Sequence, residues 1–364
     1  MDTTDPEIIF DALGNCNHCI EFLGKRAGFA YQGMASETAL TVICEKIKRD
    51  GIGKEFDCVI GVSGGVDSSY LAYVAVREGL RPLAVHMDNG WDSEQSVLNI
   101  RNVIKGLGIG YESYVLDWEE FKDLQLAFLK ASVPEAETPT DVAIPAALHH
   151  FAAKYGVKYI ISGGNIATEG ILPKSWHYDA KDFKYFSNIQ KRFGTRRLKR
   201  AATFGYKKEA YYKIVKGIRM IYPLNYVPFD KAAAMECLAA EFDWKDYGGK
   251  HHESKYTKFI HSYYLVEKFR IDYRRAGLST RICLNNLDRD EAIEQLNTKP
   301  YDQSAIEEDK IYICKKLNIS SSELESIMRL PPKWYWDYPN DRRKLGLIYN
   351  LYRKIFRKEK LANF

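Results

Sequence analysis

Residues 63–68 read Ser63-Gly64-Gly65-Val66-Asp67-Ser68 and lie between a short β-branched run at 57–62 and a helical stretch that begins at Ser68. Two adjacent glycines let the backbone turn sharply and aim its N–H groups at one point, while Ser63, Ser68 and the helix N-terminus add donors and positive dipole. The sum is an anion cradle. It lacks the lysine of Gly-x-x-x-x-Gly-Lys-Ser/Thr, so it is a different device from the Walker loop. Two more apolar runs end in comparable clusters, His86-Met87-Asp88-Asn89-Gly90 and Ser162-Gly163-Gly164-Asn165. Alone, the first is explained by an Asp-Asn-Gly turn and the second equally by a plain turn. Taken with the loop, they place three strand ends around one ligand. Cys16-Asn17-His18-Cys19 has the spacing of half a tetrahedral zinc set, and the pair alone leaves metal binding open.

The elements that must position these residues alternate. Strand-like runs at 57–62, 83–87, 112–116 and 158–162 are interleaved with helical patterns at 68–78, 97–107, near 119–131 and at 145–155, after an amphipathic helix at 36–49. Such alternation predicts an α/β, Rossmann-like, mostly parallel sheet covered on both faces, with ligands at the carboxyl ends of its strands. A basic insertion at 175–213 interrupts the pattern before a fifth strand at 218–222. Beyond 235 everything reads helical. The expected organisation is an N-terminal segment with the cysteine pair and a helix (1–50), a nucleotide-binding domain (51–235) and a C-terminal helical region (236–364).

With 46% apolar and 28% charged residues the chain is neither disordered nor membrane-spanning, since no eighteen uncharged apolar residues run together. The acidic start, Met1-Asp2-Thr3-Thr4-Asp5-Pro6-Glu7, is unlike a signal or transit peptide and predicts a cytoplasmic protein with reduced thiols. Net charge is +5, but residues 181–219 hold thirteen Lys and Arg against Asp182 and Glu209, and residues 342–360 hold eight against Glu359. Two basic zones on an otherwise acidic chain predict specific anionic partners. In the tail, Leu347, Ile348, Leu351, Tyr352 and Ile355 form an apolar stripe expected to dock on the protein rather than on a membrane.

Ser-Gly-Gly-x-Asp-Ser at a strand-to-helix junction is similar to the PP-loop of the ATP pyrophosphatases, of the adenine nucleotide alpha hydrolase type. That resemblance implies ATP held by Gly61, Val62, Ser63, Gly64, Gly65, Asp67 and Ser68, by His86, Met87, Asp88 and Asn89, and by Gly163, Gly164 and Asn165. It also implies Mg²⁺ held through Asp67 on the departing pyrophosphate. Asp246-Tyr247-Gly248-Gly249-Lys250-His251-His252-Glu253-Ser254, then Thr257-Lys258-Phe259, Lys268-Phe269-Arg270-Ile271-Asp272-Tyr273-Arg274-Arg275, Ser279 and Leu287-Asp288-Arg289-Asp290-Glu291-Ala292 add a second likeness. Together with Asp5-Pro6-Glu7-Ile8, they resemble the N-acetyl sugar amidotransferase family of lipopolysaccharide and O-antigen biosynthesis.

This likeness implies a reaction in which AMP is placed on the acetamido oxygen of a nucleotide-linked sugar of the 2,3-diacetamido uronic acid type, and ammonia then displaces it to leave an acetamidino group. Ser63, Asp67, Lys250 and His251 are the implied catalytic residues. Lys250, His251, Glu253, Lys258, Arg274 and Arg275 are the implied substrate contacts, although Lys258 alone also reads as a solvated helix face. Ammonia is expected from a glutaminase subunit with its barrel partner, because no cysteine here lies in a Gly-x-Cys-x-Gly elbow. The family usually carries a second Cys-x-x-Cys upstream of the pair at Cys16 and Cys19, so Zn²⁺ stays open as a third cofactor.

Two other functions compete. A tRNA thiolase would also combine a PP-loop with Cys-x-x-Cys, and the insertion interleaves Phe183, Tyr185, Phe186, Phe193, Phe204, Tyr206, Tyr211 and Tyr212 with its cations as an RNA surface would. Against it, the sheet region holds only Cys58, away from the loop, and nucleic acid is not the expected ligand. A non-catalytic nucleotide-binding module is the other alternative, and the intact Asp67 and Ser68 speak against it.

Overall fold

The computed structural model describes residues 1–25, 31–176, 178–249, 252–347 and 349. Five strands, β1 (Cys58–Gly61), β2 (Pro82–Asp88), β3 (Gly110–Val115), β4 (Tyr159–Ile161) and β5 (Arg219–Ile221), form one all-parallel sheet in the order β3-β2-β1-β4-β5. Val59 of β1 is in register with Leu83 on one side and Ile160 on the other. Strand order reverses between β1 and β4, and in such sheets the crevice at the carboxyl ends of those two strands is where ligands sit. The loop at 63–65 leaves β1 there, and Gly163 and Gly164 leave β4 beside it.

Alternating side chains divide the core. Cys58, Ile60 and Ala84 join a cluster with the helices Met34–Asp50, Val66–Arg77, Glu94–Leu107 and Lys231–Phe242, through residues such as Ile47, Leu71, Ile100 and Leu238. Val59, Leu83, Val85 and Ile160 pack on the opposite face against Ala147, Leu148 and Phe151 of the helix Thr138–Lys154. That helix was expected to start at 145. It starts a further turn and more upstream because Pro139 occupies the first-turn position, where a missing N–H costs nothing, while Pro145 is carried inside the helix.

Strand ends lead directly into helix caps. Ser93, Asp117 and Asn165 each accept a backbone N–H of the first turn that follows, from Ser96, Glu120 and Thr168 respectively. The basic insertion forms the helix Phe183–Phe193 and then a strap. Thr195 and Arg196 donate backbone N–H groups to Asp123, and Lys199, Arg200 and Ala201 donate theirs to Glu120, at 2.8–3.1 Å. Of the aromatics in the insertion, Tyr185, Phe186 and Phe204 are buried with Phe128 as core, while Phe183 and Tyr211 are exposed.

The C-terminal region is helical: Lys255–Phe259 running on as a π-helix Ile260–Phe269, then Arg274–Cys283, Arg289–Leu296, Gln303–Leu317 and Ser321–Arg329. Tyr256, Phe259, Ile260 and Ile313 close over Trp91, Leu116 and Phe121 in one cluster. Among the described residues no helix is long and apolar enough to cross a membrane. Most of the tail stripe, from Ile348 with Leu351, Tyr352 and Ile355, lies outside the described residues.

Candidate active site

The loop after β1 is built around two glycines with separate reasons to be glycine. Gly64 has φ +80°, and a Cβ there would lie 2.3 Å from the Ser96 carbonyl oxygen. A Cβ on Gly65 would fall 3.0 Å from the Tyr247 hydroxyl and 3.5 Å from Glu253 Oε1, so the concave side of the loop faces those two side chains. Across the crevice a Cβ on Gly163 would meet the Asp67 carbonyl and the Ser68 N–H at 3.1 Å. The two expected strand ends are thus in contact at the N-terminus of the helix Val66–Arg77.

Within the loop the Ser63 N–H donates to Ser68 Oγ at 3.2 Å, the Gly65 N–H to Ser63 Oγ at 3.3 Å, and Ser68 Oγ to the Gly65 carbonyl at 3.2 Å. These bonds are at the long end of the range, as expected of donors able to exchange partners. The carbonyl of Gly64 is pinned from behind by the Trp244 indole N–H at 3.0 Å and by Asn99 Nδ2 at 3.3 Å. Asn99 in turn exchanges bonds with the backbone of Lys245.

The cluster after β2 is ordered by bonds of its own. Asp88 and Asn89 accept the Gly90 and Trp91 N–H groups in consecutive turns. Met87, the last but one residue of β2, is half-buried between two core clusters. His86, buried, bridges the Val62 carbonyl at 2.9 Å and Asp92 Oδ2 at 3.0 Å. Burial works against its charge, but Asp92, the Val62 carbonyl and Asp88 outweigh it and raise its pKa above the ordinary histidine value. Asn165 is wholly buried: its Oδ1 caps Thr168 and its Nδ2 donates to the Gly163 carbonyl, so it shapes the glycine turn.

Asp92 pairs with Ser254 in an antiparallel bridge, the Ser93 N–H and Ser96 Oγ donate to the Glu253 carbonyl, and the Lys255 N–H donates to Trp91. These bonds fasten Glu253 beside the loop. The Tyr247 phenol there is pushed well above its ordinary pKa by burial and then by the charges of Glu253 and Asp67, and it stays a hydrogen-bond donor. Lys250 and His251 lie outside the described residues. Lys258 pairs with Asp309 at 2.7 Å. Arg274 spends its guanidinium on Asp272 and on the Gln295 and Thr298 carbonyls, and Arg275 on Asp2 and Asp272. All three cations are thus paired within the chain.

Cys16 and Cys19 place their sulfurs 3.2 Å apart, and Cys283 adjoins Cys19. Among the described residues no group of three or more His, Cys, Asp or Glu is placed to hold a metal ion. The residues that sequence reasoning missed are Asn99, Asp92 and Trp244. Asn99 left one signal, a polar side chain at a position where the helical period calls for an apolar one.

Residues 37–137 match the NAD synthase family model, and residues 253–355 match the model described as LPS biosynthesis protein WbpG-like, C-terminal domain. A curated relative, the tRNA-specific 2-thiouridylase MnmA of a Nitratiruptor species, is 32% identical over 146 residues, 37% of this chain; the chain spans only 42% of that relative's length. Among solved structures, NMN synthetase from Francisella tularensis aligns over 77% of this chain and 91% of its own at 16% identity and TM-score 0.38. The U34-tRNA thiolase NcsA from Methanococcus maripaludis aligns over 75% and 84% at 14% identity and TM-score 0.34. The loop after β1 and the segment fastened to it at Glu253 fall in or at the edge of these two matched stretches, and the chain thus joins a PP-loop ATP pyrophosphatase domain of NAD synthase type to a WbpG-like C-terminal domain of lipopolysaccharide biosynthesis proteins.

Proposed function

We propose that this protein is an ATP-dependent, cytoplasmic amidotransferase that adenylates the acetamido oxygen of a nucleotide-linked 2,3-diacetamido uronic acid and replaces AMP with ammonia, leaving an acetamidino sugar. The observation that carries this reading is the wall opposite the loop: Glu253, where the WbpG-like stretch begins, faces Gly65 across the space a Cβ would fill. A phosphate-binding loop and a segment shared with lipopolysaccharide biosynthesis proteins line one crevice.

In this reading the Ser63 and Gly65 N–H groups, the Ser68 hydroxyl and the helix N-terminus hold the phosphates, and the missing side chain of Gly163 lets the backbone approach. Mg²⁺ held through Asp67 would neutralise charge on the departing pyrophosphate. Tyr247, kept protonated, donates a hydrogen bond toward the crevice. Lys250 and His251 are assigned to the anionic parts of the sugar nucleotide. A glutaminase with its barrel partner supplies ammonia. The test is mass spectrometry of diacetamido nucleotide sugars incubated with ATP, Mg²⁺ and ammonium at raised pH. A product lighter by the difference between O and NH supports the amidine, and unchanged mass across the panel counts against it.

A tRNA-directed reaction is the second reading, favoured by the exposed Arg197, Lys199 and Arg200 on the strap. Its weakness is sulfur chemistry. Cys58 is wholly buried at the amino end of β1, the end remote from the loop.

A further inference from the structure

Two peptide units supply the N–H groups of the loop, Val62–Ser63 and Gly64–Gly65. In a planar trans peptide the carbonyl and the N–H point in opposite directions, so whatever holds the carbonyl also aims the donor. The Gly64 carbonyl is held by Trp244 and Asn99. The Val62 carbonyl is held by a histidine: His86 Nδ1 lies 2.9 Å from it, while the Val62 N–H bonds the Val85 carbonyl of β2. The Ser63 N–H of that peptide donates to Ser68 Oγ, in the first turn of the helix Val66–Arg77.

The other nitrogen of the same ring, Nε2, lies 3.0 Å from Asp92 Oδ2. Both partners, a carbonyl and a carboxylate, are acceptors. A neutral imidazole has one N–H, so one of the two contacts would set a lone pair against an oxygen; the imidazolium has two and satisfies both. Burial opposes the charge, and Asp92, the Val62 carbonyl and Asp88 outweigh it. On the neighbouring strand β3, Ser113 is in register with His86, and the Tyr111 phenol is raised by burial, with the charges of Asp88 and Asp92 adding to it, so that it stays neutral. Asp92 in turn is bridged to Ser254, next to the Glu253 that faces Gly65. One ring thus connects the root of the loop to the wall opposite it.

We propose that His86 is a positioning residue for ATP: held as an imidazolium between the Val62 carbonyl and Asp92, it aims the Ser63 N–H at the phosphates and ties the loop to the segment that carries Glu253. His86 in this role rests on the reading of the loop as a phosphate cradle, and not on the identity of the sugar. When the proton leaves, the remaining N–H stays with Asp92, because a carboxylate accepts more strongly than an amide carbonyl. Nδ1 then turns its lone pair on the Val62 oxygen. That peptide rotates to relieve the repulsion, and the Ser63 donor rotates with it. The folded chain holds this proton more tightly than the unfolded one, so the effect is fully present below the ordinary histidine value of 6.5 and is lost as pH rises through the raised midpoint.

Nuclear magnetic resonance of the full chain, isotope-labelled at its eight histidines, reads the ring directly. The signal that disappears in His86→Gln should show both ring nitrogens protonated near neutral pH and titrate with a midpoint above 6.5. Calorimetry should show MgATP affinity falling roughly tenfold or more as pH passes that midpoint, the worth of one hydrogen bond from a charged donor. His86→Gln keeps an N–H for the Val62 carbonyl without a titrating charge, so its affinity should be level over the same range. Should that variant fail to fold, Asp92→Asn takes its place: it removes the charge that favours the imidazolium, and the midpoints of ring and affinity should move down together. A His86 that is neutral near pH 7, a wild-type affinity that ignores pH, or a pH dependence unchanged in either variant overturns the proposal. Wild type that binds no MgATP at any pH overturns it too, by removing the phosphate reading, and a His86 signal that still titrates high tells that failure from the others.

Discussion

At the scale of single residues the loop is unusually intolerant. Gly64→Ala must place a Cβ 2.3 Å from backbone at φ +80°, and neither the Ser96 carbonyl nor the helix that carries it can give way cheaply. The expected outcome is a loss of about 1–3 kcal/mol of stability together with ATP affinity, read by chemical denaturation and calorimetry. Asp67→Ala should leave the melting temperature nearly unchanged and abolish pyrophosphate release. A variant that releases pyrophosphate normally would remove Asp67 from the chemistry. Glu137, at the cap of the helix Thr138–Lys154, gives a pH prediction. Glu137 is raised to about 8, so between the ordinary glutamate value and about 8 the unfolded chain is ionised while the folded carboxyl holds its proton, and stability falls as pH rises through that window. Glu137→Gln removes the cost. It should be more stable than wild type at pH 8, by on the order of a few kcal/mol at most, and indistinguishable from it near pH 4. The loop was legible because its residues are contiguous. Trp244 and Asn99, which hold the Gly64 carbonyl, were not, since those contacts join residues 180 and 35 positions apart.

At the scale of elements the strands were legible for a simple reason: strands buried on both faces are short apolar runs, and Cys58, Val59 and Ile60 are all shut from solvent. The insertion was harder. Its charges suggested a solvated or nucleic-acid-binding stretch, yet the strap is held by its backbone N–H groups on Glu120 and Asp123, two buried carboxylates about seventy residues earlier that no local pattern links to it. Those bonds are charge-assisted. Asp123→Ala should therefore free residues 194–197 at a cost of about 1–3 kcal/mol and speed tryptic cleavage after Arg196 and Arg197. Cleavage no faster than in wild type would show that the strap is held by something other than Asp123.

At the scale of the whole molecule, the WbpG-like helices and the sheet share a core. Trp91, which follows β2, is fully buried between Trp118 and Tyr256, with ring centroids 5.4 and 5.1 Å away, and its indole N–H donates to Gln125 at 2.7 Å. The Trp91 carbonyl also receives the Lys255 N–H, so one residue joins the edge of the crevice at the loop to the first helix of the C-terminal region. Removing that ring opens a cavity where both halves meet, and about 3–5 kcal/mol is the usual cost. If the two regions stand or fall together, Trp91→Ala should lower a single unfolding transition seen alike by calorimetry and by near-ultraviolet circular dichroism. Two separated transitions, with only one displaced by the substitution, would mean that the helices are an independent domain resting on the sheet. In that case Glu253 would reach the loop by docking, and ATP affinity should then weaken as the later-melting half loses its partner, well before the sheet itself unfolds.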